Sequence, residues 1–188
     1  MDYHSTISKA ADISRQTNWH IITGAPCSGK TTVIKDIAQR GIRVIHEAAR
    51  AYIDRQLGRG LGLDQIKADM LQFERHILHA KIRIEDSLTK AKPVFFDRGV
   101  PDSIAYYILE GLDPVEPLKL SRRFRYRRIF FFERFDFVKD GVRSEDEMIA
   151  ARLNDLLLEA YGKLGYDVVM VPVMPVEDRT DLVLRVIK

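Results

Sequence analysis

The sequence contains one cysteine, Cys27, among its 188 residues, so an internal disulfide cannot form. A chain without disulfides fits a reducing compartment. Long hydrophobic runs are also missing, because apolar runs such as residues 129–132 are far shorter than the roughly 20 residues that a membrane-spanning helix needs. The first residues lack the apolar core of a signal peptide. These absences predict a cytoplasmic protein that does not associate with membranes.

A strong charge of either sign is absent as well. The chain has 30 basic and 27 acidic side chains, a net charge of +3, so its overall balance does not require a nucleic-acid partner, and an anionic small substrate suffices. Repeats and low-complexity segments are not found. At 46% hydrophobic content the length predicts one globular domain over residues 19–188, preceded by a tail or short helix at residues 1–18.

The most informative pattern lies at residues 21–32, which read IITGAPCSGKTT. Gly24, Gly29, Lys30 and Thr31 match the phosphate-binding loop G-x-x-x-x-G-K-[ST]. In this motif backbone N–H groups cradle phosphates, the lysine reaches the β- and γ-phosphates, and the threonine hydroxyl ligates Mg²⁺. The pattern predicts ATP and Mg²⁺ binding by residues Gly24, Ala25, Pro26, Cys27, Ser28, Gly29, Lys30, Thr31 and Thr32.

Apolar strand-like segments alternate with helical segments along the chain. The predicted strands are residues 19–23, 43–45, 92–97, 127–133 and 167–171. One long amphipathic helix is predicted from Asp64 to about Lys90, after a glycine-rich connection at residues 58–62. Alternation of this kind indicates an α/β protein, a three-layer P-loop NTPase fold with a five-stranded parallel sheet and helices on both faces.

Ligands of open parallel sheets bind at the carboxyl ends of the strands, so polar residues at those positions are the candidates. Asp97 could hold Mg²⁺ or take the proton of an attacking hydroxyl, and Arg98 could neutralise phosphate charge. Capping of the next turn is a second interpretation of Asp97. Glu133 ends the fourth strand in the same pattern and competes for the role. We favour Asp97 because its strand usually neighbours the loop strand in small P-loop kinases.

Two further segments could complete a site. Glu47 and Arg50 lie one helical turn apart and could bind a hydroxyl-rich acceptor. The alternative interpretation is that Glu47 is an exposed acid in the first turn of a helix and Arg50 a solvated arginine. Residues 140–143 read DGVR and could close over ATP, with Arg143 stabilising the transferred charge; a plain surface turn is the alternative.

Other patterns favour structural interpretations. The arginine-rich residues 122–128, interleaved with Phe124 and Tyr126, are more typical of a solvated edge than of an RNA site, so nucleic acid is not expected as a partner. His76 and His79 have a possible metal spacing but no acidic or cysteine pattern around them. Cys27 could be a redox-sensitive thiol or only a small loop residue.

The segments IITGAPCSGKTT, HEAARAYI, FFDRGVPDSIAYY, IFFFERF and DGVRSEDE, in this order, resemble the small AAA-labelled P-loop ATPase family related to the ribosylnicotinamide kinase domain of NadR. The resemblance covers nearly the whole chain from Trp19. It implies Lys30 and Thr31 on ATP and Mg²⁺, Asp97 as a metal-linked acid or base, Glu47 and Arg50 toward the acceptor, and Arg143 in a lid. The Asp97-Arg98 pair is also similar to that of deoxynucleoside kinases, where the acid activates the sugar hydroxyl. Cys27 departs from the glycine that such loops often carry.

The sequence therefore predicts a Mg²⁺-dependent phosphotransferase that moves a phosphoryl group from ATP to a hydroxyl of a small, nucleoside-like acceptor. An NTPase that hydrolyses ATP or GTP to drive a switch or a partner interaction is the alternative. The identity of the acceptor and the oligomeric state stay open.

Overall fold

The computed structural model describes residues 16–135 and 145–187. Within these ranges five strands form one parallel sheet in the order β2-β3-β1-β4-β5. The strands are β1 (Trp19–Thr23), β2 (Val44–Ile45), β3 (Val94–Asp97), β4 (Arg128–Phe132) and β5 (Val168–Val171). The predicted α/β fold with five parallel strands is confirmed.

Helices connect the strands and cover both faces of the sheet. They are α1 (Lys30–Gln39), α2 (Ala48–Leu57), α3 (Leu63–Ile66), α4 (Met70–Asp86), α5 (Asp102–Leu109), α6 (Val115–Leu120), α7 (Glu145–Lys163) and α8 (Val176–Ile187). No helix in these ranges has the length and apolarity needed to cross a bilayer.

Alternate residues of each strand supply the two halves of the core. Ile22, Phe95 and Phe130 face α1 and α8, where they pack with Val33, Ile37 and Val183. Ile21, Phe96 and Ile129 face the opposite layer with Trp19 and Tyr161. Because side chains alternate across a strand and both faces are covered, the strands are largely apolar on both sides, with polar exceptions that include His20 and Thr23 of β1.

The single long helix predicted from Asp64 to about Lys90 is two helices. Asp69 is in an extended conformation, and its carboxylate accepts a hydrogen bond from the Gln72 backbone N–H at 3.0 Å, which caps α4. The short α3 precedes this break. The apolar spacing predicted one continuous helix because Ile66, Met70 and Phe73 keep helical intervals across the cap.

The central strand β1 places the phosphate-binding loop between two neighbours. Ile22 pairs with Asp97 of β3, and Thr23 pairs with Phe131 of β4. The carboxyl ends of these three strands therefore meet around one point. Residues 16–18 join the opposite edge, where the Thr17 and Asn18 backbone N–H groups bond to the carbonyls of Arg125 and Lys90.

Candidate active site

The P-loop, residues 24–31, has the backbone of an anion cradle. Gly24 and Gly29 have φ values of +135° and +82°. A Cβ at position 24 would lie 2.5 Å from the Phe132 carbonyl oxygen, so only glycine fits beside β4. Cys27 adopts a left-handed φ of 60° and is exposed. Helix α1 starts directly after the loop without an acidic residue in its first turn, which leaves its free N–H groups open to an anion.

Lys30 is buried inside the loop. Its Nζ donates hydrogen bonds to the Ala25 carbonyl at 2.7 Å and to Ser28 Oγ at 2.9 Å. Burial and the positive charge of Arg98 together lower the pKa of Lys30 to about 7, against the opposing effect of Asp97. A phosphate in the cradle would favour the protonated amine, so anion binding and lysine protonation are coupled here.

The donors around the loop suit Mg²⁺ held jointly with a nucleotide. The described ranges hold no group of three or more His, Cys, Asp or Glu side chains that could bind a metal alone. Thr31 is exposed at the start of α1, and Asp97 ends the adjacent strand. Magnesium commonly takes only one or two protein ligands and completes its shell with phosphates and water. Thr31 and Asp97 fit that arrangement.

Asp97 ends β3 with 6% of its surface exposed. Burial and the negative charge of Glu47 together raise its pKa to about 6, against the opposing effect of Arg98. A carboxylate with this pKa is a stronger base than an exposed aspartate and is still largely ionised at neutral pH. Glu133, the competing acid, is exposed beyond β4.

Arg98 is the side chain that connects the P-loop to Glu47, the residue before α2. It is buried, its Nε lies 2.7 Å from Glu47 Oε1, and its Nη1 lies 3.1 Å from the Gly24 carbonyl oxygen. Its backbone has a φ of 69°, in the left-handed region. That conformation costs a non-glycine residue about 1–2 kcal/mol, which the fixed guanidinium contacts offset.

Asp102, at the first turn of α5, was missed by the sequence analysis. The fully buried carboxylate accepts hydrogen bonds from Thr23 Oγ1 at 2.6 Å, the Gly99 backbone N–H at 2.8 Å and the Tyr161 hydroxyl at 2.5 Å. Arg98 Nη1 lies 3.4 Å from the same group. Asp102 therefore holds Arg98 against the end of β1. The feature of the sequence that could have indicated Asp102 is an acidic residue directly after Pro101 at the start of a helix.

A cavity of about 170 Å³ opens beside Arg98, between α2, α4 and α5. We call it the acceptor cavity. Aromatic and apolar walls combine there with three acids and three bases. Its charged and aromatic lining comprises Glu47, Lys67, Phe73, Glu74, Lys81, Arg98, Tyr106 and Glu110. Lys81 and Arg98 also line a much smaller pocket that includes Asp97, so the two spaces adjoin.

Buried charge distinguishes the wall that α4 contributes. Burial raises the pKa of Glu74 to about 7 and lowers the pKa of Lys81, whose Nζ donates to Ser103 Oγ at 3.1 Å. Arg50 differs from these residues. Its side chain is exposed and does not line the acceptor cavity, so its predicted role stays a prediction.

Two other predicted features lie elsewhere. Arg143 and its segment, residues 140–143, fall outside the described residues. The basic residues 122–128 lie at the amino-terminal edge of the sheet, where Arg123 and Arg125 contact the protein itself. Arg123 pairs with Asp86 at 2.6 Å, and Arg125 donates to the Leu164 carbonyl and stacks 3.9 Å from the Tyr166 ring. That this patch does not bind nucleic acid stays a prediction.

Arg179 of α8 was also missed, and no local signal marked it. Its buried guanidinium donates to three carbonyls, those of Ser28 in the P-loop at 2.5 Å, Pro172 after β5 at 2.8 Å and Glu133 after β4 at 3.4 Å. The Phe135 ring lies 5.1 Å away on the P-loop side. One side chain thus connects the loop to the ends of two strands.

Solved structures with this fold are found among small P-loop proteins. Thymidylate kinase from Ehrlichia chaffeensis has a TM-score of 0.65 at 16% identity, covering 92% of this chain and 99% of that one. Deoxyadenosine kinase from M. mycoides with bound dATP has a TM-score of 0.58 at 17% identity, covering 89% and 97%. A NadR protein in complex with NR has a TM-score of 0.61 at 19% identity, covering 91% of this chain and 54% of that one. These similarities establish the fold.

A comparison with curated proteins gives no significant match. A family model described as an AAA domain matches residues 19–179, from the first residue of β1 to the arginine that braces the P-loop. The match includes every described residue assigned to the site, and it covers most of the chain. The protein therefore belongs to this AAA domain family of P-loop proteins, in agreement with the resemblance seen in its sequence.

Proposed function

We propose that this protein is a Mg²⁺- and ATP-dependent phosphotransferase that acts on a hydroxyl group of a small, nucleoside-like acceptor. The observation that carries the proposal is the position of Arg98. Its guanidinium contacts the P-loop at Gly24 and Glu47 at the wall of the acceptor cavity, so one side chain faces both the nucleotide and the space for a second substrate. A protein that only hydrolyses a nucleotide has no need of that cavity.

The nucleotide half of the proposal follows from the P-loop. The backbone N–H groups and Lys30 would hold the β- and γ-phosphates, and Thr31 with Asp97 would hold Mg²⁺. The ion would neutralise charge on the phosphate oxygens. Arg98 adds a fixed positive charge that needs no reorganisation during the reaction. Arg143 is proposed to supply a further charge from the segment after β4.

The chemical step would occur between the two halves. The acceptor hydroxyl oxygen forms a bond to the γ-phosphorus, the bond from that phosphorus to the β,γ-bridging oxygen breaks, and ADP leaves with the electron pair. Asp97 takes the hydroxyl proton, a task that its raised pKa suits. Glu47 orients the acceptor and holds Arg98 in place. Arg50 is exposed and does not line the cavity, so it is assigned no part in this step.

The acceptor class rests on the cavity and on the related folds. Phe73 and Tyr106 offer ring surfaces, while Glu74 and Glu110 offer acceptors for the N–H and O–H groups of a nucleoside. Two proteins with this fold are, by their names, kinases of thymidylate and deoxyadenosine, and a third was solved with NR. We also propose a cytoplasmic location, as the sequence suggested.

The test measures ATP turnover and phosphorylated product with a panel of nucleosides, nucleoside monophosphates and unrelated hydroxyl compounds. We expect one nucleoside-like compound to raise turnover at least 100-fold over water and to carry the labelled γ-phosphate. If every compound leaves only slow hydrolysis, the alternative of a switch NTPase using ATP or GTP replaces the kinase. The Lys30→Ala variant is the control for contaminating activity.

A further inference from the structure

A second and larger cavity lies on the other side of α2, between α2 and α4. Its volume is about 480 Å³. We call it the arginine groove, because Arg55, Arg59 and Arg83 line it. Its floor is apolar, with Ala48, Ala51 and Ala80 among the lining residues. The volume falls in the range of sites that hold a nucleotide-sized ligand.

The three arginines lack acidic partners within residues 16–135 and 145–187. Four other arginines, Arg40, Arg75, Arg98 and Arg123, form ion pairs with carboxylates in the same ranges. Arg55, Arg59 and Arg83 form none, and their side chains are exposed. Guanidinium groups bind phosphate oxygens with two parallel hydrogen bonds. Three of them around one concave surface favour an anion with more than one phosphate.

An aromatic wall adds a second recognition element. The rings of Tyr52 and His76, both lining the groove, stack with a centroid distance of 5.4 Å and an interplanar angle of 17°. His76 is exposed, so a further planar ring can pack against the pair. We propose that the arginine groove is a second nucleotide site, in which the arginines bind the phosphates and the Tyr52-His76 stack contacts the base.

A nucleotide fits this surface better than an RNA strand does. The positive charge is concentrated in one concavity, whereas binding along a strand needs a groove that follows the backbone. In the other basic segment, residues 122–128, Arg123 and Arg125 are engaged by Asp86, Leu164 and Tyr166. The site is also distinct from the P-loop, which none of the groove residues reaches.

The arginine groove and the acceptor cavity share helices α2 and α4 and one ring contact. Helix α2 presents Ala49 and Ile53 to the acceptor cavity and Ala51 and Tyr52 to the groove. The Tyr52 ring packs edge-on against Phe73 of the acceptor cavity, with centroids 5.9 Å apart. A ligand against Tyr52 would therefore lie one ring away from the wall of the acceptor cavity. The binding proposal does not depend on the proposed kinase activity.

The test uses the full chain with Mg²⁺ and one equivalent of AMP-PNP, so that the P-loop is filled first and the groove stays open to the probe. ADP, and separately inorganic tripolyphosphate, is then titrated while NMR follows the ring C–H signals of His76 at constant pH. We expect saturable shifts with both probes. The Arg55→Glu, Arg59→Glu double variant should weaken binding at least tenfold, and Arg185→Glu, an exposed arginine on α8, should leave it unchanged.

Each outcome decides the proposal. His76 signals that do not move, or that move equally in the double variant, would overturn it. A single-stranded RNA that displaces ADP at a concentration a hundredfold lower would replace the nucleotide with nucleic acid and would also overturn it. Saturable shifts that need Arg55 and Arg59 and resist RNA competition would support it. If AMP-PNP does not bind, the P-loop assignment fails, yet the His76 signals still report on the groove.

Discussion

Arg98 and Glu47 form an ion pair of 2.7 Å that connects the end of β3 to the start of α2. The arginine is buried while the glutamate is one-third exposed, so the pair has one side in the protein and one side at the acceptor cavity. Arg98 also reaches the Gly24 carbonyl and Asp102. A nucleotide at the P-loop and an acceptor in the cavity are therefore expected to interact with the same positive charge, that of Arg98.

Arg98→Lys tests that connection. Lysine has a single ammonium group and cannot reach Glu47, Gly24 and Asp102 with fixed geometry. We expect kcat/KM to fall at least tenfold and the melting temperature to fall by roughly 2–8 °C, since lysine loses the contacts that offset the backbone strain of about 1–2 kcal/mol at this position. Arg185→Lys on the surface of α8 is the matched control. Unchanged kinetics in Arg98→Lys would show that only the positive charge matters.

Lys30→Ala tests the nucleotide site. The variant loses the amine that lies inside the loop, so ATP binding should weaken at least tenfold and turnover should fall by roughly 10²–10³. Calorimetry gives the affinity and a coupled assay the rate. Lys35→Ala, an exposed lysine on the same helix, should behave as wild type. Full activity without Lys30 would refute the P-loop assignment.

Asp97→Asn separates chemistry from binding. Asparagine keeps the shape of the side chain but cannot take a proton, so the ATP affinity should stay within about threefold while kcat falls roughly 10²–10⁴-fold. Glu133→Gln, which changes the exposed competing acid, should leave kcat unaltered. A loss of kcat in Glu133→Gln with an unchanged kcat in Asp97→Asn would assign the role of the base to Glu133.

The acid limb of the pH–rate profile should report the Asp97 carboxylate. Its pKa of about 6 means that protonation removes the base as the pH falls below 6. Glu47 raises this pKa, so Glu47→Gln should lower it and shift the limb toward acid, giving a higher ratio of the rate at pH 5 to the rate at pH 8. Glu159→Gln on α7 is the control. If the acid limb does not move in Glu47→Gln, it reports the titration of a group other than Asp97.

Glu74→Gln should make stability depend less on pH. In the folded state the pKa of Glu74 is about 7 because of burial, against 4.5 for the free side chain, so the folded protein holds the proton more tightly. Stability from this group is present below pH 4.5 and is lost as the pH rises to 7, by roughly 3 kcal/mol. Urea unfolding should find the variant more stable relative to wild type at pH 8 than at pH 5. An equal difference at both values would contradict the assignment.

Much of the fold was accessible from sequence because it is encoded locally. The five strands are short apolar segments, the P-loop follows the first of them, and Gly58 caps α2 where the glycine-rich connection was expected. The break at Asp69 could not be predicted from the apolar pattern, because the cap leaves the helical spacing of the apolar residues unchanged.

The site was accessible only in part. Lys30 and the Asp97-Arg98 pair stand in motifs, so the pattern was enough to propose them as site residues. Asp102 and Arg179 act through contacts with residues 79 and 151 positions away, which no local pattern encodes. Arg50 lies one helical turn from Glu47 but does not line the acceptor cavity, so its role stays a prediction.

The bond between Arg179 and the Ser28 carbonyl also bears on how the protein is made. A ribosome completes the P-loop early, yet the residue that braces it is synthesised 151 positions later. During synthesis the phosphate cradle lacks its brace until α8 has emerged and docked on β4 and β5. A nucleotide at the P-loop would therefore have little to hold in the nascent chain and would stabilise mainly the finished fold.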